Sequence, residues 1–175
     1  MIVFQQLAGA AARTIYGRFV AAIPGGLTPD GVLAAEDATL RAAGLSGQKA
    51  ASVRDLALHV LDGSLPLARL PRQTDDEVIR ELTQVRGIGR WTAEMYLIFR
   101  LGRLDVWPVD DLGVRRGYMR MQGLEEMPRA RDLEALGDVY RPYRSVVAWY
   151  CWHAADTVLP EPLLPEPLLP EVDGS

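Results

Sequence analysis

Val85-Arg86-Gly87-Ile88-Gly89-Arg90-Trp91-Thr92-Ala93 joins two predicted helices through a very short connection. Two glycines separated by one apolar residue allow the chain to reverse tightly, with Ile88 as the side chain that packs into the core. The helix that follows begins with free backbone N–H groups at its positive dipole end. Such a turn can bind one phosphate group through backbone amides. The alternative is an ordinary helical hairpin in which the glycines serve only the turn.

The sequence pattern also predicts short helices in the rest of the chain up to about residue 157. Apolar residues recur at helical spacing from Ile2 to Ile23, and Thr74-Asp75-Asp76-Glu77 is a capping box before the hairpin. Val106 to Val109 is the one extended stretch, because a residue before proline avoids the helical region. Start and stop signals predict the other helices at Thr28-Pro29, Asp37 to Ala43, Ser46 to Gly63, Thr74 to Val85, Trp91 to Leu101, and near 111–120, 129–138 and 144–157. The pattern predicts an all-α domain.

The composition excludes several classes of protein. A chain of 175 residues can bury the core of one domain without disulfide bonds or a structural metal ion. Its single Cys excludes a disulfide framework and any zinc site or iron–sulfur cluster built on several Cys. His59 and His153 have no Cys or carboxylate at ligand spacing, so no metal site is predicted. With neither a long apolar run nor a basic segment before an apolar block at the start, we expect a cytosolic protein of bacterial type without a membrane partner.

The acidic charge is concentrated in a repetitive tail. The net charge is −4, yet residues 160–175 hold four acidic residues and no basic one, so residues 1–159 are neutral overall. Residues 159–171 read LPEPL-LPEPL-LPE, which is too rich in proline for a helix or a sheet interior. We predict a helical domain over 1–158 and an extended, disordered Pro/Glu/Leu-rich low-complexity tail over 159–175. Eighteen of the 19 basic residues are Arg, which suits phosphate binding, although a high-GC coding bias explains this equally well.

A second motif follows the hairpin and makes the combination informative. Trp107-Pro108-Val109-Asp110-Asp111 stands at a predicted helix start, with Asp111 twenty residues after Trp91. Together with the hairpin, it resembles the helix-hairpin-helix (HhH-GPD) DNA glycosylases, which have a Gly/Pro-rich loop and a catalytic Asp. Further segments are similar to the 3-methyladenine DNA glycosylase II (AlkA-like) branch, namely Gln5-Gln6-Leu7-Ala8 with Ala11-Ala12, Leu45-Ser46-x-x-Lys49-Ala50, and Arg141-Pro142-Tyr143-Arg144-Ser145 leading to Trp149-Tyr150-x-Trp152. The resemblance spans residues 2–157 in the family's order.

The resemblance implies a fold and a reaction. The fold would be a two-lobed helical domain, with the helix-hairpin-helix at about 74–101 and the active-site cleft between the lobes. The reaction would flip a damaged nucleotide out of duplex DNA and hydrolyse its N-glycosidic bond in base excision repair. The implied substrates are alkylated purines of the 3-methyladenine type, and the implied place of action is the nucleoid. The alternatives are a glycosylase for another lesion, such as 8-oxoguanine or a deaminated base, and a non-catalytic DNA-binding module.

The resemblance also assigns roles to individual residues. Alignment on Val114 makes Asp111 the catalytic residue, with Asp110 as the alternative and helix capping as the structural explanation of either. The aromatic residues assigned to the base pocket are Trp152, Trp91, Tyr96 and Trp107, each with core packing as the alternative. The DNA wedge, which enters the gap left by the flipped base, is assigned to Leu7 with Gln6. The phosphate-binding hairpin is assigned to Gly87, Ile88, Gly89, Arg90 and Thr92.

The resemblance also predicts a monofunctional enzyme. Bifunctional relatives carry a Lys in the second helix of the hairpin motif, and that Lys forms a Schiff base with the sugar. Trp91 occupies the matching position, while Lys49, the only Lys, lies in another helix. We therefore expect no AP-lyase activity and no cofactor, with a monovalent cation at the backbone carbonyls of residues 85–90 left open. The expected partner is duplex DNA that contains a damaged base, and we expect the protein to act as a monomer.

Overall fold

The structure is a computed structural model that describes residues 2–5 and 9–156. Across these two ranges, the α-helices are α1 (Gly9–Ala22), α2 (Pro29–Ala34), α3 (Asp37–Ala42), α4 (Gly47–Leu61), α5 (Asp75–Leu82), α6 (Arg90–Phe99), α7 (Leu112–Met121), α8 (Ala130–Leu136) and α9 (Arg144–Asp156). Short 3₁₀ turns cover Ile2–Phe4, Leu70–Arg72 and Asp138–Tyr140. The described ranges contain no strand, so the predicted all-α class is confirmed. The tail over 159–175 lies outside the described residues.

The start of the chain departs from the prediction of one helix from Ile2 to Ile23. Ile2–Phe4 forms a 3₁₀ turn, Gln5 is in a turn, and α1 begins only at Gly9. Lys49 Nζ donates hydrogen bonds to the carbonyls of Val3 and Gln5, at 2.7 and 2.8 Å. A continuous α-helix would pair those carbonyls with its own N–H groups four residues later. Ile2 and Val3 supply the apolar periodicity because they are buried in the core.

Side-chain caps begin several of the helices, as the sequence predicts. Thr28 accepts from the N–H of Gly31, and Ser46 accepts from the N–H of Lys49. Thr74 and Glu77 form a reciprocal capping box at the start of α5. α6 differs because its N-cap is Gly89, which has no side chain to occupy the first N–H groups of the helix.

Three clusters of buried residues hold the domain together. The first, which includes Phe19 and Leu40, lies among the 3₁₀ turn at 2–4 and α1–α4. The second, which includes Leu82 and Leu97, joins α5, α6 and the chain on either side of them. Ile88 of the hairpin packs against both clusters, as the sequence predicts. These two clusters belong to the first lobe, which the chain from Ile2 through α6 forms. The third cluster lies within the second lobe, which α7, α8 and α9 form.

Close packing of α7 on α9 positions the loop that carries the predicted catalytic residue. A Cβ placed on Gly117 would collide with the backbone of Cys151, and one on Gly113 would lie 2.8 Å from Cδ1 of Trp152. Ion pairs from Arg144 and Arg141 to Asp105, at 2.7 and 2.9 Å, tie the start of the same loop to the chain around the beginning of α9. The loop before α7 is therefore held against α9.

Candidate active site

The Asp111 carboxylate lies where the two lobes meet. Oδ1 accepts hydrogen bonds from the N–H of Val114 at 2.8 Å and from Nε1–H of Trp152 at 2.9 Å. Oδ2 accepts from Nε1–H of Trp91 at 2.6 Å. These donors belong to α7, α9 and α6 respectively, so the carboxylate joins three elements. Asp110 is exposed in the turn before α7.

The bonding pattern separates a capping role from a further role. Capping of α7 requires only the bond from the N–H of Val114 to Oδ1. The two indole N–H groups are additional donors, and they restrict the orientation of the Asp111 carboxylate. A carboxylate oxygen has two lone pairs, so Oδ2, with Trp91 as its partner, can accept another donor. Asp111 is half-buried, so part of the residue faces solvent.

An aromatic surface surrounds this carboxylate. Trp91 is 44% exposed, and Trp152 is half-buried. Phe99 is 65% exposed and stacks on Trp152, with ring centroids 5.6 Å apart and an interplanar angle of 29°. Sequence reasoning missed Phe99. The signal was present, because Phe99 follows Trp91 by eight residues, about two helical turns, and so shares its face of α6.

The other two predicted pocket aromatics lie elsewhere. Trp107 is 5% exposed, and its Nε1–H donates to the carbonyl of Leu133 at 2.9 Å. Its ring contacts Tyr118 and Tyr140, so the structure places it in the core of the second lobe. Tyr96 is half-buried against the second cluster and lines an apolar cavity of 1110 Å³ between the first two clusters. Core packing, the alternative interpretation, accounts for Trp107, because its indole N–H already has a buried partner.

The hairpin backbone is held by side chains from other parts of the chain. Gly87 has a φ of +77°, which a glycine adopts without strain. Its carbonyl accepts from Nε2 of Gln5 at 2.9 Å, and the same amide donates to Oγ1 of Thr92 at 3.1 Å. The N–H of Arg86 donates to Oδ2 of Asp55 at 2.7 Å. Thr92, one of the predicted phosphate-binding residues, is buried and bonded to Gln5 through its hydroxyl group.

Arg90 extends from the start of α6 beside a buried carboxylate. Its Nε–H donates to Oε1 of Glu94 at 2.9 Å, while most of the Arg90 side chain stays exposed. Burial raises the pKa of Glu94 above its usual range, and the hydrogen bond from Arg90 opposes that rise. The guanidinium of Arg90 therefore has a fixed partner at Nε, and it lies next to the uncapped N-terminus of α6.

Some predicted features remain predictions. Leu7 and Gln6, the predicted wedge, lie outside the described residues. In the described ranges, no group of three or more His, Cys, Asp or Glu side chains could hold a metal ion. At the hairpin, the carbonyl of Val85 accepts a hydrogen bond from Ile88 and that of Gly87 accepts one from Gln5. These bonds do not test the predicted cation, which stays a prediction. No helix in the described part of the chain combines the length and the apolarity needed to cross a membrane.

Comparisons with known proteins place the chain in a family. The family model described as "HhH-GPD superfamily base excision DNA repair protein" matches residues 1–142. DNA-3-methyladenine glycosylase 1 of Schizosaccharomyces pombe is 37% identical over 151 residues, which cover 85% of this chain and 66% of that relative. The putative DNA-3-methyladenine glycosylase YfjP of Bacillus subtilis is 32% identical over 164 residues, which cover 89% of this chain and 56% of that relative. The chain thus spans between about half and two thirds of the length of these two relatives.

Solved structures show the same fold. The Schizosaccharomyces pombe 3-methyladenine DNA glycosylase Mag1, in complex with abasic DNA, aligns with a TM-score of 0.76 and 36% identity over 86% of this chain and 75% of that one. The DNA-3-methyladenine glycosidase of Bacillus halodurans aligns with a TM-score of 0.81 and 40% identity over 89% of this chain and 72% of that one. An 8-oxoguanine glycosylase/lyase of Clostridium acetobutylicum is 16% identical, a level at which the likeness concerns the fold alone.

Proposed function

Because the chain belongs to the HhH-GPD superfamily of base excision DNA repair proteins, we propose that it is a DNA glycosylase that excises alkylated purines of the 3-methyladenine type from duplex DNA. The observation that carries the proposal is the Asp111 carboxylate, held by the indole N–H groups of Trp91 and Trp152 from opposite lobes. The names of the similar proteins favour alkylated purines over the other lesions considered. The chain would act as a monomer on duplex DNA that contains the damaged base.

The aromatic surface suits a positively charged base. An alkylated purine is cationic, and a flipped cationic ring gains both stacking and cation–π attraction on exposed indole and phenyl faces. Trp91 is exposed and bonds to Asp111, and the exposed ring of Phe99 extends the aromatic surface by stacking on Trp152. These contacts bind a cationic base better than a neutral one, because the attraction is electrostatic.

The Asp111 carboxylate suits the demanding part of the reaction. The positive charge of an alkylated purine makes the base a good leaving group, so the barrier lies in the positive charge that develops on the sugar. A negative group beside the sugar stabilises that oxocarbenium-like state. Oδ2 of Asp111 can also orient a water molecule or accept its proton, because this oxygen has a lone pair that Trp91 does not use.

The position of Lys49 supports hydrolysis without strand cleavage. A lyase mechanism needs an amine that reaches C1′ of the sugar. Nζ of Lys49, the only Lys side chain, donates to the carbonyls of Val3 and Gln5 in the first lobe, and Trp91 contacts Asp111 from the helix position where bifunctional relatives carry their Lys. The proposed product is therefore a free base and an intact strand with an abasic site.

The hairpin supports DNA binding through a phosphate group. The N-cap of α6 is Gly89, so no side chain competes with an anion for the first N–H groups of that helix. Arg90 lies at the same helix end and can add a charge-assisted hydrogen bond. The assigned hairpin residues therefore contribute to affinity without reading the base sequence.

The test is release of free bases from methylated duplex DNA, with 3-methyladenine, 7-methylguanine and 1-methyladenine resolved by chromatography. We expect release of 3-methyladenine and an intact DNA strand. If no base is released although binding to duplex DNA weakens as salt rises, the chain is a non-catalytic phosphate-binding module instead.

A further inference from the structure

Gln5 links the first residues of the chain to the hairpin, more than eighty positions away in sequence. Its amide nitrogen donates to the carbonyl of Gly87 and to the hydroxyl of Thr92, at 2.9 and 3.1 Å. The Gln5 side chain thus contacts both the hairpin, at Gly87, and the first helical turn of α6, at Thr92. Both bonds of the Gln5 amide nitrogen are therefore made within the protein.

A second side chain holds the hairpin from α4. Oδ2 of Asp55 accepts the N–H of Arg86 at 2.7 Å, on the other side of the peptide that joins Arg86 to Gly87. Ser52, one helical turn before Asp55, packs so closely that a Cβ on Gly87 would lie 2.5 Å from its Oγ. The two hydrogen bonds therefore lie on either side of the Arg86–Gly87 peptide, and Ser52 leaves no room for a side chain at position 87.

The residue that supplies the Gln5 amide is itself held in place. Lys49 Nζ binds the backbone carbonyl of Gln5 as well as that of Val3. Ile2 and Val3 are 5% and 4% exposed, and they insert into the first cluster. Desolvation lowers the pKa of Lys49 relative to an exposed lysine. The Gln5 side chain is thus presented from a fixed segment, so it can impose a position on Gly87.

We propose that Gln5 and Asp55 are positioning residues that hold the hairpin backbone in the conformation that receives a DNA phosphate group. An anion site built from backbone N–H groups depends on their directions, and α6 begins at Gly89 without a side-chain cap that would help to fix them. The bonds to Gly87 and Arg86 supply that orientation from two separate elements. The inference rests on the proposed function, because it assumes that the hairpin contacts DNA.

The experiment compares Gln5→Met with Gln73→Met. Methionine keeps the length of the side chain and removes the N–H donors. Gln73 is a matched control because it is also half-buried and donates one side-chain bond, to Glu81, away from the hairpin. For each variant, we would measure Tm, the affinity for duplex DNA that contains an abasic-site analogue, and the single-turnover rate of base release at saturating enzyme.

We expect Gln5→Met to bind DNA about tenfold more weakly, the effect of losing one well-oriented phosphate contact, with a rate at saturation close to that of the wild type. Gln73→Met should change Tm without changing affinity. A second pair of variants, at Asp55, tests the inference independently of Gln5. Asp55→Ala should weaken DNA binding in the same way, and Asp55→Asn should restore most of the loss because it keeps an oxygen that accepts the N–H of Arg86.

Two results would overturn the inference. If Gln5→Met and Gln73→Met lower Tm alike and leave DNA affinity unchanged, Gln5 has only a structural role. If Asp55→Ala binds DNA as well as the wild type, the bond to Arg86 does not position the hairpin. Failure of the proposed function has a different signature, because the wild-type protein itself would then release no base from methylated duplex DNA, whether or not it shows salt-dependent affinity for DNA.

Discussion

Replacement of Asp111 by Asn tests whether its negative charge, and not its capping bond, carries the chemistry. The amide oxygen of Asn can keep the hydrogen bonds from the N–H of Val114 and from Trp152 that Oδ1 now accepts. The amide nitrogen then faces Nε1–H of Trp91, so two donors oppose each other where Oδ2 accepted a bond. Because Trp91 is 44% exposed, its N–H can turn toward water.

The expected magnitudes for stability and for rate differ widely. Loss of one partly exposed hydrogen bond costs about 1 kcal/mol, which lowers Tm by about 2–4 °C in a chain of this size. A carboxylate about 4 Å from the developing charge on the sugar contributes about 4 kcal/mol at an effective dielectric constant of about 20. Since about 1.4 kcal/mol corresponds to a factor of ten, base release by Asp111→Asn should be about a thousandfold slower.

The assay is single-turnover release of 3-methyladenine from methylated duplex DNA, with Tm and DNA affinity measured for each variant. The matched control is Asp110→Asn, which removes the same charge from the exposed neighbouring residue and should leave release close to that of the wild type. The reasoning would be refuted if Asp111→Asn released base at a rate comparable to those of the wild type and of Asp110→Asn. If Asp111→Asn lowered Tm as much as a destabilising substitution in the hydrophobic core does, the main role of Asp111 would be to cap α7.

Three further predictions concern neighbouring groups. Trp152→Phe keeps an aromatic ring but loses the N–H donor to Asp111, so base release should slow by about tenfold, whereas Trp107→Phe should lower Tm alone; equal slowing in both would exclude this explanation. The hydrogen bond from a buried guanidinium lowers the pKa of Asp105 below its ordinary 3.8, so its ionised form stabilises the fold at neutral pH and this contribution is lost as the pH falls through the lowered pKa. Asp105→Asn should therefore lower Tm at neutral pH but not in strong acid, and thermal melts across pH would reveal a constant difference if the idea is wrong. Borohydride added during base release should trap no covalent adduct with DNA, because the amine of Lys49 is engaged by backbone carbonyls; a trapped species would contradict the hydrolytic mechanism.

The local features of this protein follow from its sequence. The capping box at Thr74 and the cap at Ser46 act through neighbours three residues away, so sequence order alone places them. The hairpin follows from Gly87, because a residue with positive φ is needed at that turn. Asp111 also follows from its position at a helix start within a recognisable motif. Each of these signals depends on residues only a few positions apart.

The first residues of the chain show where local reasoning fails. Apolar spacing predicts a helix from Ile2, because Ile2 and Val3 are buried as a helical face would be. The 3₁₀ turn forms instead because Lys49, more than forty residues later, takes the carbonyls that a helix would use. No periodicity in the first ten residues contains that information.

The tertiary structure decided which aromatic residues belong to the site. Trp107 and Trp152 are both aromatic residues near a helix end, yet one bonds to a core carbonyl and the other to Asp111. The difference arises from the approach of α7 to α9, which requires glycine at 113 and 117. The sequence by itself determined the helices after the first turn of the chain, the hairpin and the carboxylate, because these depend on neighbours along the chain. The tertiary structure decided which aromatic rings reach that carboxylate, because residues 20 and 41 positions away meet it only after the helices have packed.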